Sequence, residues 1–238
     1  MSRDVGKKTA VDNQRRIFLK ATAGLSAAIW AGIESHSPLE AADVAAGAVP
    51  PSLDSANVAQ NSAMFAVSHR DFGAAFRSIR KHENAHVTFL VQALGNAARP
   101  KPTFQGLQQK NFKDFVSLAR AFENTGAGAY LNAAPALNNP SYLAAAGSIA
   151  LVEARHAGFI NVATVQPITL GNADFEGPLT PSAVAKAVSP FIRSLNGGAA
   201  ITYSSQRSSA NDLAILNFAL ALEYLEAEFY NLNVPKFF

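Results

Sequence analysis

The sequence predicts an all-α fold, a four-helix bundle with one short extra helix in a long linker. Apolar residues recur at alternating steps of three and four over four long stretches. Asn, Ser, Gly and Pro punctuate the ends of those stretches, and strand-like alternation is confined to Ala200 to Tyr203. With 238 residues, 49% hydrophobic and 16% charged, the chain has ample material for one core, and disorder and collagen-like repeats are excluded.

The first helix is expected from His69 to Leu94, with Ser68 as N-cap, Asp71 in the first turn and Gly95 closing it. A connection from Asn96 to Lys110 carries Pro100 and Pro102. The second helix is expected from Asn111 to Ala133, stopped by Pro135, and the Asn138-Asn139-Pro140 turn leads into a third from Ser141 to Ala163. In the long segment from Val165 to Ser208, Leu179-Thr180-Pro181-Ser182 starts a short helix that reaches about Leu195, followed by Asn196-Gly197-Gly198. The fourth long helix is expected from Asn211 to Tyr230. The bundle domain thus occupies residues 68–238. Residues 43–67, rich in Ala, Ser, Pro and Asn without clear periodicity, read as a loosely structured lead-in.

The buried stripe of each helix should be apolar, and each turns acidic at its middle. The first stripe is Phe72, Phe76, Ile79, Glu83, His86, Leu90, Ala93, and the third is Tyr142, Ala146, Ile149, Glu153, His156, Ile160, Ala163. The second centres on Glu123, between Ala119 and Gly126, and the fourth on Glu223, between Leu220 and Ala227. A single Glu on such a face commonly reaches the rim. Four, each about 12 to 14 residues into its helix and so about 18 Å from an end, meet at one level of a bundle. Unpaired anions there would cost several kcal/mol each. Glu and His at spacing three on two helices, with a lone Glu from each of two others, form the ligand set of a dinuclear iron or manganese centre. Four carboxylates balance two divalent cations, and His86 and His156 complete the shells. The chain has no Cys, which excludes disulfides, zinc ribbons, iron–sulfur clusters and thiol nucleophiles.

The net charge of +3 comes partly from the first 42 residues, which hold six basic and four acidic side chains, so nothing in the rest argues for nucleic-acid binding. Arg15-Arg16-Ile17-Phe18-Leu19-Lys20, followed by a modest apolar run from Ala21 to Ile33, resembles a twin-arginine (Tat) export signal. That run spans about 20 Å as helix, short of a ~30 Å hydrocarbon core. Residues 1–42 are therefore expected to be a signal peptide. The resemblance implies a mature protein working in the periplasm or outside the cell, with no stable membrane span after signal removal.

The stretches Leu216-Asn217-Phe218-Ala219-Leu220-Ala221-Leu222-Glu223-Tyr224-Leu225-Glu226-Ala227-Glu228-Phe229-Tyr230, Glu83-Asn84-Ala85-His86-Val87, Ala121-Phe122-Glu123, Ala129-Tyr130-Leu131 and Val152-Glu153-Ala154-Arg155-His156-Ala157 resemble the ferritin-like superfamily, and within it the exported, desiccation-related group. Carried across, the resemblance makes Glu223 the single ligand of the family's first helix, Glu83 and His86 the pair of its second, Glu123 the single ligand of its third, and Glu153 and His156 the pair of its fourth. It implies two iron ions, or alternatively manganese, and oxidation of ferrous ion by oxygen or peroxide, as a di-iron ferroxidase or a manganese catalase-like enzyme. Glu226 and Glu228 are expected at rim or solvent positions. The family's first helix stands last here, so the order reads as circularly permuted. The linker is long enough to carry that helix home, and docking into a second copy of the chain, as an exchanged homo-oligomer, is the alternative.

Two other readings compete. A non-catalytic stress- or desiccation-protective protein would keep the same fold. His82-Glu83-Asn84-Ala85-His86 also matches the His-Glu-x-x-His pattern of zinc metalloproteases, but that reading leaves Glu123, Glu153, His156 and Glu223 unexplained. On the dinuclear reading His82 lies one step off the seam and is expected to be dispensable. The aromatics Phe76, Phe112, Tyr130 and Tyr230 are expected to serve as core, and Arg155 to be solvated or to lie just behind the ligands.

Overall fold

The computed structural model describes residues 69–238; the expected signal peptide, the lead-in and the Ser68 cap lie outside the described residues. Among the described residues are five α-helices: α1 (His69–Leu94), α2 (Phe112–Ala133), α3 (Pro140–Ala163), α4 (Pro181–Val188) and α5 (Ser209–Phe237). Local chemistry sets their starts. The Asn111 side chain accepts from the Asp114 amide at the head of α2, and Ser208 accepts from the Asn211 amide at the head of α5. Asn139 accepts from the Ser141 amide, with Pro140 in the first turn of α3, where a missing N–H costs nothing.

Three features differ from the sequence-based expectation. α4 ends at Val188 instead of about Leu195, because Pro190 lacks the amide an α-helix would need; one 3₁₀ turn (Ser189–Phe191) follows. The chain then enters β2 (Ile192–Ser194), which pairs antiparallel with β1 (Thr103–Phe104), while Ala200 to Tyr203 forms no strand. α5 runs past Tyr230 to Phe237 and through Pro235. Tertiary packing outweighs the one lost backbone bond: Val234 is buried, Phe237 stacks on Phe115 and Phe238 on Phe76. Asn233 ties the same turn to the α1–α2 connection, accepting from the Gln109 amide and donating to the Leu107 carbonyl.

The apolar interior falls into two clusters. One gathers Phe76, Phe115, Ile160 and Phe229; the other gathers Leu90, Tyr130, Ile149 and Leu220. The mid-helix Glu and His residues of α1 and α3 lie between these clusters. Cluster membership also fixes directions: α1 and α2 run one way, α3 and α5 the other. Two connections must therefore cross the length of the bundle, residues 95–111 and 164–208, and the β1–β2 pair fastens these two crossings together. The second crossing is also seated on α2 at Gly128, whose carbonyl accepts from the Leu179 amide. A Cβ on Gly128 would stand 2.8 Å from the Gly177 carbonyl oxygen and 2.8 Å from Leu179 Cγ, so only glycine lets the linker lie this close.

α1 packs along α5 of its own chain, α2 packs along α3, and α2 also meets α5. α3 is long and apolar enough to cross a membrane by length and composition, but Glu153 and His156 are buried at its middle. α5 is buried almost all round from Ile215 to Tyr230.

Candidate metal centre

At the level between the two apolar clusters the structure brings together all six residues singled out from the stripes. Glu83, Glu123, Glu153 and Glu223 are each fully buried, and His86 and His156 nearly so. They form two groups of four, Glu83–His86–Glu153–Glu223 and Glu83–Glu123–Glu153–His156, with candidate ligand atoms in each group all within 4.8 Å of one another. Glu83 and Glu153 belong to both groups. The single glutamates of α2 and α5 belong to one group each, as does each histidine.

The contacts repeat about an approximate two-fold axis. His86 Nδ1 lies 3.2 Å from Glu223 Oε2 and 3.3 Å from both Glu83 Oε2 and Glu153 Oε1. His156 Nδ1 lies 3.1 Å from both Glu123 Oε2 and Glu83 Oε1. The Tyr130 hydroxyl donates to Glu223 Oε1, and the Tyr230 hydroxyl donates to Glu123 Oε1. Each tyrosine stands seven residues after a ligand-type glutamate, Tyr130 after Glu123 and Tyr230 after Glu223. Because α2 and α5 run antiparallel, each phenol reaches the carboxylate of the opposite helix. Both tyrosines are buried core, as expected, but each also orients a site carboxylate, a role that the stripe alone does not reveal.

Glu226 and His82 depart from expectation, whereas Glu228 and Arg155 agree with it. Glu226, expected at the rim, is buried and joins the electrostatics of the cluster. Glu228 is partly exposed and pairs with Lys101. His82 is exposed, yet its ring stacks on His156 at 5.2 Å and its Nδ1 lies 2.9 Å from His156 Nε2, so it buttresses the imidazole rather than standing apart from the site. Arg155 points outward and donates to the Leu151 carbonyl.

Burial and mutual repulsion leave this cluster electrostatically frustrated. Burial, reinforced by Glu123, pushes Glu83 up to about 7. Burial, reinforced by Glu83 and Glu123, drives Glu153 well above the usual carboxylate range. Burial, with Glu153 next, raises Glu226 strongly as well. Burial opposes the charge on both histidines, but the carboxylates overcome it: Glu223 foremost holds His86 far above its ordinary value, and Glu123 foremost lifts His156 to about 10. Burial pushes Glu223 up, but the His86 charge and the hydrogen bonds from His86 and Tyr130 together outweigh it and hold Glu223 below its ordinary value. Among the buried carboxylate oxygens, Glu83 Oε1 and Glu153 Oε1 face only a histidine nitrogen, and Glu153 Oε2 has no hydrogen-bond partner. These under-satisfied oxygens belong to the two residues shared between the groups. Oxygen and imidazole donors of this kind, at this density, suit a pair of hard or borderline divalent cations. Neither group includes His82, so the His-Glu-x-x-His pattern does not form a metal-binding group of its own among the described residues.

No curated protein and no solved structure matches the chain. The model of the ferritin-like domain matches it over residues 39–166 and 211–237, two stretches separated by the long crossing before α5. A match over more than half of the sequence, on a helical bundle with carboxylate and histidine groups buried at its middle, places this chain in the ferritin-like domain family.

Proposed function

We propose that the protein is an exported ferritin-like protein whose buried cluster holds two iron ions and oxidises ferrous ion with oxygen or peroxide. The observation that carries this reading is the sharing of Glu83 and Glu153 between two otherwise separate groups, with buried oxygens on both that no donor other than a histidine approaches. Glu83 and Glu153 would bridge the pair. His86 and Glu223 would complete one position, and His156 and Glu123 the other. Such a pair, once bound, supplies two one-electron reductants side by side to an oxidant.

The rest follows from the chain's own residues. Tyr130 and Tyr230 hold the terminal carboxylates by one oxygen, which leaves Oε2 of each turned to its histidine. The apolar clusters above and below exclude water from the layer and strengthen every charge interaction within it. His82, exposed on one side and bonded to His156 on the other, gives protons displaced from the site a route to the surface.

Export and permutation belong to the same proposal. The Arg15-Arg16 pair supports twin-arginine export, and replacing both with Lys should retain the protein in the cytoplasm. The permuted order rests on the resemblance of the Leu222-Glu223-Tyr224-Leu225-Glu226 stretch of α5 to the family's first helix, whose ligand α5 would then supply. Anaerobic loading with ferrous ion followed by oxygen or peroxide tests the chemistry. Two metal ions per chain, with oxidant consumed in proportion, support the enzyme reading; two ions held with no oxidant consumed support the protective, non-catalytic alternative. A single zinc equivalent lost on His82→Ala but kept on Glu223→Ala would support the protease reading instead.

A further inference from the structure

The two-fold symmetry of the cluster is broken at its centre. The Tyr130–Glu223 and Tyr230–Glu123 hydrogen bonds set the register of α2 against α5, so residues 126–127 of α2 face residues 226–227 of α5. Glu226 and Gly126 thus occupy equivalent positions, each three residues after a ligand-type glutamate. Two side chains would collide there. A Cβ on Gly126 would stand 3.4 Å from Glu226 Oε1 and 2.5 Å from Glu153 Oε2. Glycine on α2 opens a gap, and carboxylates from α5 and α3 both reach into it. Glu153 brings a buried Oε2 with no hydrogen-bond partner, and Glu226 is itself buried, only 3% exposed.

A buried carboxylate kept beside four others is unfavourable unless something positive gathers them. We infer that Glu226, which stands outside both four-residue groups, turns through the space left by Gly126 to become a fifth carboxylate ligand of the metal centre beside Glu153. The inference rests on the dinuclear reading above and extends it. Four carboxylates neutralise two divalent cations; a fifth gives the centre a surplus negative charge, which favours a pair whose total charge exceeds that of two divalent ions.

Cobalt(II) tests this without reference to turnover, because its visible d–d bands report the number and kind of donor atoms. Wild type and Glu226→Gln are each titrated anaerobically with cobalt(II), and circular dichroism establishes that the variant is folded. The expected result is two equivalents in both proteins, with the variant's affinity for at least one ion lowered by roughly tenfold or more and its d–d bands altered in intensity. Glu226→Asp keeps the charge but withdraws the oxygens by one methylene, and should alter the bands in the same direction. Bands and affinities identical to wild type in both variants would overturn the assignment of Glu226 while leaving the two-metal reading intact. A wild-type protein that binds no cobalt pair would overturn both.

Discussion

The two halves of the metal centre are built from the same parts and finished differently. Each half offers a histidine, a terminal glutamate and a tyrosine hydrogen bond to that glutamate. On α1 the residue before the shared glutamate is His82, which reaches across to His156; on α3 the equivalent residue is Val152, which has nothing to donate to His86. At the centre, α5 contributes Glu226 where α2 contributes Gly126. The common parts are the ones two cations require, whereas the differing parts decide how tightly each is held and from which side protons and ligands arrive.

Breaking the parts shared by both halves should have the largest effect. Glu83→Ala and Glu153→Ala each remove a residue common to both groups, and calorimetric titration should show loss of the second metal equivalent with helicity largely intact. Two equivalents bound as in wild type by both alanine variants would contradict the assignment of the shared residues.

A smaller effect should separate the halves. His82→Ala removes the support of His156 but touches nothing around His86, so one of the two binding steps should weaken by roughly 10- to 100-fold and the other stay unchanged. Equal weakening of both steps, or of neither, would show that the histidine pair does not distinguish the halves.

The pH dependence of the metal-free protein follows from the raised groups. Glu83, lifted to about 7, and His156, lifted to about 10, both bind protons more tightly folded than unfolded. Their contribution is present below their ordinary values and is lost as pH climbs through the raised ones. The Tm of the metal-free protein should therefore fall from about pH 5 towards pH 10. Glu223, held low, acts in the opposite sense but only below its ordinary value. Metal displaces these protons, so the rise in Tm on metal addition should grow over the same interval. A Tm that rises steadily with pH without metal would contradict the frustration described here.

The smallest effect belongs to the phenols. Tyr130→Phe and Tyr230→Phe each remove one of the hydrogen bonds to a terminal carboxylate that keeps its histidine partner, a net change of about 0.5–1.5 kcal/mol in metal affinity. Each should weaken chiefly the half whose glutamate it held, Glu223 for Tyr130 and Glu123 for Tyr230.

The stripes were readable in the sequence because Glu83, Glu123, Glu153 and Glu223 interrupt otherwise apolar rows at the 3.6-residue period. The helix starts were readable because Asn111, Asn139 and Ser208 are capping residues in position. Glu226 escapes a stripe reading because α5 is buried on nearly every side; a helix covered all round has no single stripe, and a second face can be as deep as the first. The tyrosine bonds depend on the register between α2 and α5, and the His82 contact on the approach of α1 to α3, neither of which local sequence encodes. The β1–β2 pair is too short to leave an alternating pattern. The continuation of α5 through Pro235 comes from packing of Val234, Phe237 and Phe238 that overrides the local preference.

Metal stoichiometry of the purified chain is the most direct test of the account, measured by anaerobic titration with ferrous ion and followed by thermal unfolding. The account predicts saturation at two ions per chain, with Tm rising until the second site fills. Saturation at one ion or none, or a Tm indifferent to metal, would contradict it.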